Sequence, residues 1–332
     1  MRQGKKILFA ILGLCLISAG TFFFIRANRS GRERIAQRKT ELAAPTPTEN
    51  LPTGIIPATE TPAPSLTPTA VPTETPTEPP ALSAEDWRAW PILPETVSPE
   101  LKALYFEGIE AGNDPARFSK VGDSNTVMPS FLGCYDNETS YALGPYEELS
   151  EVIEHFRWSF SRNTRAAKNG ATAYDMDVYN WYTDDICWPY ESALNCEYRL
   201  FTPSIAFIGF GTNDALMDLE LYEEHLRSLV AKTLERKIVP ILLTKADDIE
   251  GDGSFNRMTA QIALEFNVPL CNLWRAMSAL PNQGLKEGDV HPTSSETSLC
   301  NYAGDDLEHY GWSVRNLTAL QALDRVWRLL NE

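Results

Sequence analysis

The chain has 332 residues, 23 of them Pro, and a formal net charge of −16. Its first 40 residues carry nine Lys/Arg and one Glu, a charge of +8, which leaves −24 on residues 41–332. That acidic balance excludes a phosphate-gripping, nucleic-acid-binding surface on the larger part of the chain.

In chain order, residues 1–28 form a basic N-terminal segment and an apolar run. Ile7 to Ile25 are nineteen positions without a charge, long enough for a transmembrane helix. Ser18-Ala19-Gly20 has the small residues of a signal-peptide cleavage site, but the run continues through Phe22-Phe23-Phe24-Ile25, which favours a retained signal anchor. Residues 29–81 are a basic juxtamembrane stretch and a Pro/Thr-rich linker, too poor in apolar residues to fold. Its central 36 or so residues, extended at about 3.1 Å each, would reach about 100 Å. Six Lys/Arg in residues 26–39 against three before the apolar run argue for a cytoplasmic C-terminal side. The Thr/Pro stalk and the cysteine pattern outweigh this, so the expected location is a single-pass cell membrane anchor with an extracellular domain, or a secreted one after cleavage.

Residues 82–332 include all eight Trp, enough for one single-core domain. Trp87 and Trp90 in its leading segment read as packing residues. Arg117 to Val121 is a short strand running into Gly122-Asp123-Ser124-Asn125. Tyr174 to Tyr190 is rich in aromatics, including Tyr179, Trp181, Tyr182 and Trp188, and packing is favoured there over stacking on sugar rings. Cys187 and Cys196, nine apart in a loop-like stretch, are a candidate disulfide. With Cys134, Cys271 and Cys300 they make five cysteines after Cys15, so one is left unpaired. Ser204 to Phe210 is an apolar strand ending at Gly211-Thr212-Asn213-Asp214, followed by a helix from Leu219 to Arg236. Lys237 to Thr244 is another strand, Phe255 to Phe266 a helix and Val268 to Leu273 a strand. Continuous apolar strands alternating with helices imply an α/β fold, a three-layer α/β/α sandwich with a central parallel sheet. Ligands bind beyond the strand C-termini of such sheets, where the polar tetrads fall.

Several of those residues suit acyl chemistry. A Ser on a tight bend after a strand is exposed, and its backbone N–H faces a developing oxyanion. Asn213 could supply side-chain donors, and Gly170 in Asn169-Gly170-Ala171-Thr172 a close backbone approach. Each of these motifs alone is equally a turn or a helix cap. Of four histidines, His155, His225 and His309 lie in charged helical stretches, whereas His291 follows Gly288-Asp289-Val290 in a loop suited to a base. Asp247-Asp248 and Asp305-Asp306 read as solvated loop acids. No His/carboxylate cluster shows metal-ligand spacing, so no metal is expected.

The set Gly122-Asp123-Ser124, Gly170, Gly211-Thr212-Asn213-Asp214 and Asp289-Val290-His291-Pro292, in this order, resembles the SGNH/GDSL hydrolase superfamily. The resemblance implies a flavodoxin-like sandwich, Ser124 as nucleophile and His291 as base. It implies an oxyanion hole from Ser124, Gly170 and Asn213, and no cofactor. The family's orienting Asp stands three residues before the His, where this chain has Gly288. Asp289 is the choice for that role, with Glu287 as the alternative acid. The implied activity is ester hydrolysis through an acyl-enzyme, on a small-molecule or polysaccharide ester such as an acetylated carbohydrate. The competing expectations are a non-catalytic surface binding module and an O-acyltransferase.

Overall fold

The computed structural model describes residues 82–180 and 183–332. The expected membrane helix and linker, and Trp181 and Tyr182, lie outside those residues. Among the described residues no helix is long and apolar enough to cross a membrane.

Four strands form the sheet: β1 (Asp114–Gly122), β2 (Pro203–Gly209), β3 (Val239–Leu243) and β4 (Leu270–Cys271). They are parallel, in the order β1-β2-β3-β4. Every residue of β2 and β3 is buried, as a sheet covered on both faces requires. Gly122 pairs with Gly209, and Leu243 with Cys271, so the C-terminal ends of the strands lie along one edge.

The helices begin and end where local chemistry dictates. Ser98 caps α1 (Pro99–Glu110), whose first residue is a proline, and a Thr172/Asp175 capping box starts the short α2 (Ala173–Asp177). Ser192 caps α3 (Ala193–Phe201) and Asp218 caps α4 (Leu219–Glu235). The helix α5 (Ser254–Phe266) ends at Asn267, in the left-handed conformation that asparagine tolerates. The last helix, α6 (Gly311–Asn331), is the longest of these and was not anticipated above. Both α4 and α5 link adjacent parallel strands, so the right-handed crossover rule puts them on one face. The first and last helices touch each other and the sheet, and form the opposite layer.

Trp87 and Trp90 are buried, and Phe118, Phe131, Phe156, Phe160 and Phe207 meet edge to face in the core. Among them lies Lys120, fully buried, its Nζ donating to the carbonyl of Phe160 (2.7 Å). Burial pushes its pKa down to about 7.

Cys187 and Cys196 form a disulfide, and a second joins Cys134 to Cys300 across 166 residues. Among the described residues Cys271 is the unpaired thiol, and burial pushes its pKa up to about 12, which leaves it unreactive. Of the four aromatics named in the aromatic-rich stretch, Tyr179 and Trp188 are described, and both sit at the surface. Tyr179 and Trp188 are more than half exposed, the first edge-on to Tyr190 and the second beneath Arg199.

Candidate active site

The nucleophile loop is built on two close approaches. A Cβ at Gly122 would lie 2.4 Å from the Gly209 carbonyl, so only glycine lets β1 and β2 end side by side there. The chain then turns, with Thr126 N–H donating to Asp123 O (2.9 Å), and exposes Ser124 at the bend. A segment beside β1 extends this edge: Gly122 N–H donates to Ala166 O and Lys168 N–H to Gly122 O. That segment leads directly to Gly170, at φ +77°.

His291 arrives from a compact loop closed by a Leu285/Pro292 bridge and by Lys286 N–H donating to His291 O (3.0 Å). Its Nε2 lies 2.9 Å from Ser124 Oγ and its Nδ1 lies 2.7 Å from Asp289 Oδ1. An ionised carboxylate can only accept, which fixes Nδ1–H as the donor and leaves Nε2 to accept the serine hydroxyl proton. The hydrogen bond to His291 holds the Asp289 carboxyl below the usual carboxylate range. Gly288, at φ +66° with open space around it, turns the chain so that an acid two residues before the histidine reaches the ring. Oδ1 of Asp289 also accepts from the N–H groups of Val290 and His291, which locks that turn. The alternative acid, Glu287, is exposed at the loop tip and makes no hydrogen bond to the ring. A longer arm does not help an acid that the turn points away.

Three donors were assigned to an oxyanion hole. Among the described residues, the N–H groups of Ser124 and Gly170 have no acceptor. Asn213 Nδ2 donates one hydrogen to Ala171 O (3.0 Å), which leaves the second. This bond also ties the end of β2 to the Gly170 loop. Asp214, not singled out above, reinforces the tie, since its two oxygens accept from Ala173 N–H (2.9 Å) and Gly211 N–H (3.0 Å). Its burial pushes its pKa up to about 6. Asp177 pins α2 to α4 by bonds to His225 Nδ1, Ser228 Oγ and Lys232 Nζ, so the helix that follows Gly170 is held at both ends.

Beside Ser124 lies a charged cluster that sequence alone did not show. Asp123 is buried, and burial pushes its pKa up to about 7. Arg315 of α6 is buried against Phe131 and Trp312, and burial lowers its pKa to about 10. Asp247 is also buried, accepting from Thr212 Oγ1 (2.7 Å) and Lys245 Nζ (2.7 Å), which corrects its reading as a solvated acid. The same holds for Asp306, buried where its neighbour Asp305 is exposed. One group with metal-ligand chemistry, Asp184, Cys187 and Cys196, has its two sulfurs joined to each other and so offers no thiolate.

No protein-family model matches this chain, and no curated protein does. Solved structures do. The chain is similar to an acetyl xylan esterase from Geobacillus stearothermophilus at 18% identity, covering 62% of this chain and 94% of that one, with a TM-score of 0.39. A GDSL-like lipase from Bacteroides thetaiotaomicron matches at 16% identity over 68% of this chain and 98% of that one, TM-score 0.39. A psychrotrophic esterase from a Pseudoalteromonas species matches at 14% identity over 65% and 100%, TM-score 0.37.

Proposed function

We propose that the chain is a serine ester hydrolase working through an acyl-enzyme on Ser124. The observation that carries this reading is the unbroken hydrogen-bonded line from Ser124 Oγ through His291 to Asp289, beside backbone N–H groups with no other acceptor. His291 Nε2 takes the hydroxyl proton as Oγ attacks an ester carbonyl, and Asp289 steadies the resulting imidazolium. The oxyanion accepts from Ser124 N–H, Gly170 N–H and the free hydrogen of Asn213 Nδ2. His291 then protonates the departing alcohol, and water, deprotonated by the same ring, releases the acid. A non-catalytic binding module draws on the absence of an acid three residues before His291, and the contact of Asp289 to the ring counts against it.

Acetylated carbohydrate is the substrate class proposed; exposed Tyr179 and Trp188 are aromatic faces of the kind that stack on sugar rings. Export and tethering are proposed with it. Two disulfides suit an oxidising compartment, and the apolar run at residues 7–25 suits an anchor.

The test is hydrolysis of p-nitrophenyl acetate and butyrate by residues 82–332. Ser124→Ala and His291→Ala are expected to lose ~10³-fold or more in kcat, Asp289→Asn ~10²-fold or more, and Glu287→Gln less than about twofold. A folded wild type no faster than Ser124→Ala overturns the reading.

A further inference from the structure

The loops that carry Ser124 and His291 come from opposite ends of the domain. Among the described residues, one hydrogen bond joins them besides that of the pair itself. Asn125 Nδ2 donates to Val290 O (3.4 Å). Val290 stands between the acid and the base, and its own N–H donates to Asp289 Oδ1 (2.7 Å). The short stretch that carries both groups is therefore held by Asp289 from inside and by Asn125 from the nucleophile side.

Asn125 is fixed for this task. It is 7% exposed, its N–H donates to Asp123 Oδ1 (2.8 Å), and its carbonyl accepts from Arg315 Nε (3.1 Å). With the peptide groups on both sides tied, the backbone that carries the carboxamide is held in place opposite Val290. Its Oδ1 is buried and finds no protein donor, so the contact to Val290 is the side chain's one hydrogen bond to the protein. An apolar residue would fill the same space without burying a half-used carboxamide, so packing does not account for Asn125. Arg315 is likewise costly to bury; the carboxyls of Asp123 and Asp247 offset part of that cost, and among the described residues its one hydrogen bond is to Asn125.

We infer that Asn125 is a positioning residue for the triad. Its carboxamide latches the base loop to the nucleophile loop, and Arg315 sets that latch from the last helix. The inference rests on Ser124 being the nucleophile. A displacement of about 1 Å in a reacting group can cost ~10²-fold in rate, so a latch of this kind acts on the chemical step and not on affinity.

The experiment measures phosphonylation of Ser124 in the full chain by a p-nitrophenyl alkylphosphonate, followed by p-nitrophenol release and by intact mass. Asn125→Asp keeps the shape but turns an acceptor toward Val290 O, Asn125→Ala removes the contact, and Arg315→Lys loses the Nε donor. All three are expected to react ~10- to 100-fold more slowly than wild type, with melting temperatures within a few degrees. In a His291→Ala background, the effect of either Asn125 substitution is expected to shrink below about threefold, because no base remains to be positioned. Folded Asn125 variants within threefold of wild type overturn the inference. So does an undiminished loss in the His291→Ala background, which marks ordinary structural damage. A wild type that reacts no faster than Ser124→Ala fails the nucleophile reading itself, and that result differs from both.

Discussion

The carboxylate that meets His291 shows how one residue type decides what a motif can do. Gly288 occupies the position where the resembled family has its orienting Asp, and from sequence that leaves Asp289 and Glu287 open. Only the backbone resolves it, because the positive φ of Gly288 folds the chain back and gives the shorter side chain the ring. Two buried ionisable residues carry a second consequence, in the pH dependence of stability. Asp123 is raised from 3.8 to about 7, so between roughly pH 4 and 7 the folded chain keeps a proton that the unfolded chain has released. Its contribution is full below that window and falls as pH rises through it. Lys120 is lowered from 10.5 to about 7, so above pH 7 the unfolded chain holds the extra proton and stability climbs with pH toward 10.5. Each slope approaches about 1.4 kcal/mol per pH unit. Urea denaturation across pH 4 to 10 is expected to show Asp123→Asn flattening the acid-side slope and Lys120→Met the alkaline-side slope. Unchanged slopes would place both charges in solvent.

At the scale of elements, β2 and β3 were legible from their near-continuous apolar runs, and the helices α4 and α5 from the polar-apolar stretches that follow them. Tertiary contacts carry what was missed. In α6, Arg315 and Asn316 sit inside an amphipathic pattern, and nothing local tells a buried polar residue from an exposed one. Asn316 is completely buried, its Oδ1 accepting from Leu132 N–H (2.9 Å) and its Nδ2 donating to Ser130 O (3.0 Å), which ties the helix to the loop following Ser124. Asn316→Ala leaves both loop groups unpaired and is expected to cost roughly 2 to 4 kcal/mol, read as a lower urea midpoint. Among the described residues the same burial decides between two glycosylation sequons, Asn137-Glu138-Thr139 and Asn316-Leu317-Thr318. In a glycosylating secretory host, mass spectrometry is expected to find glycan on the exposed Asn137 and none on Asn316. Occupancy at Asn316 would mean that α6 docks late or not at all.

For the whole molecule, the two disulfides make unequal contributions. In the chain-entropy picture, closing 166 residues through Cys134–Cys300 stabilises by about 5 kcal/mol, and closing nine through Cys187–Cys196 by about 3. Replacing both members of the long bridge with serine should therefore lower the melting temperature by more than replacing the short one, and the reverse order would show that the long bridge is not formed. The short bridge was readable from spacing. The long one was not, since no local feature links positions so far apart, and a sheet with its outer layer must bring them together first. The site has the same long reach, with Ser124 and His291 separated by 167 residues and the residue that sets their latch further along still. A ribosome builds this chain from the N-terminus, so Ser124 emerges well before His291. Until α6 is made and docked, the hydrogen bonds that Arg315 and Asn316 make with the loop around Ser124 cannot form, so that loop stays untied during translation.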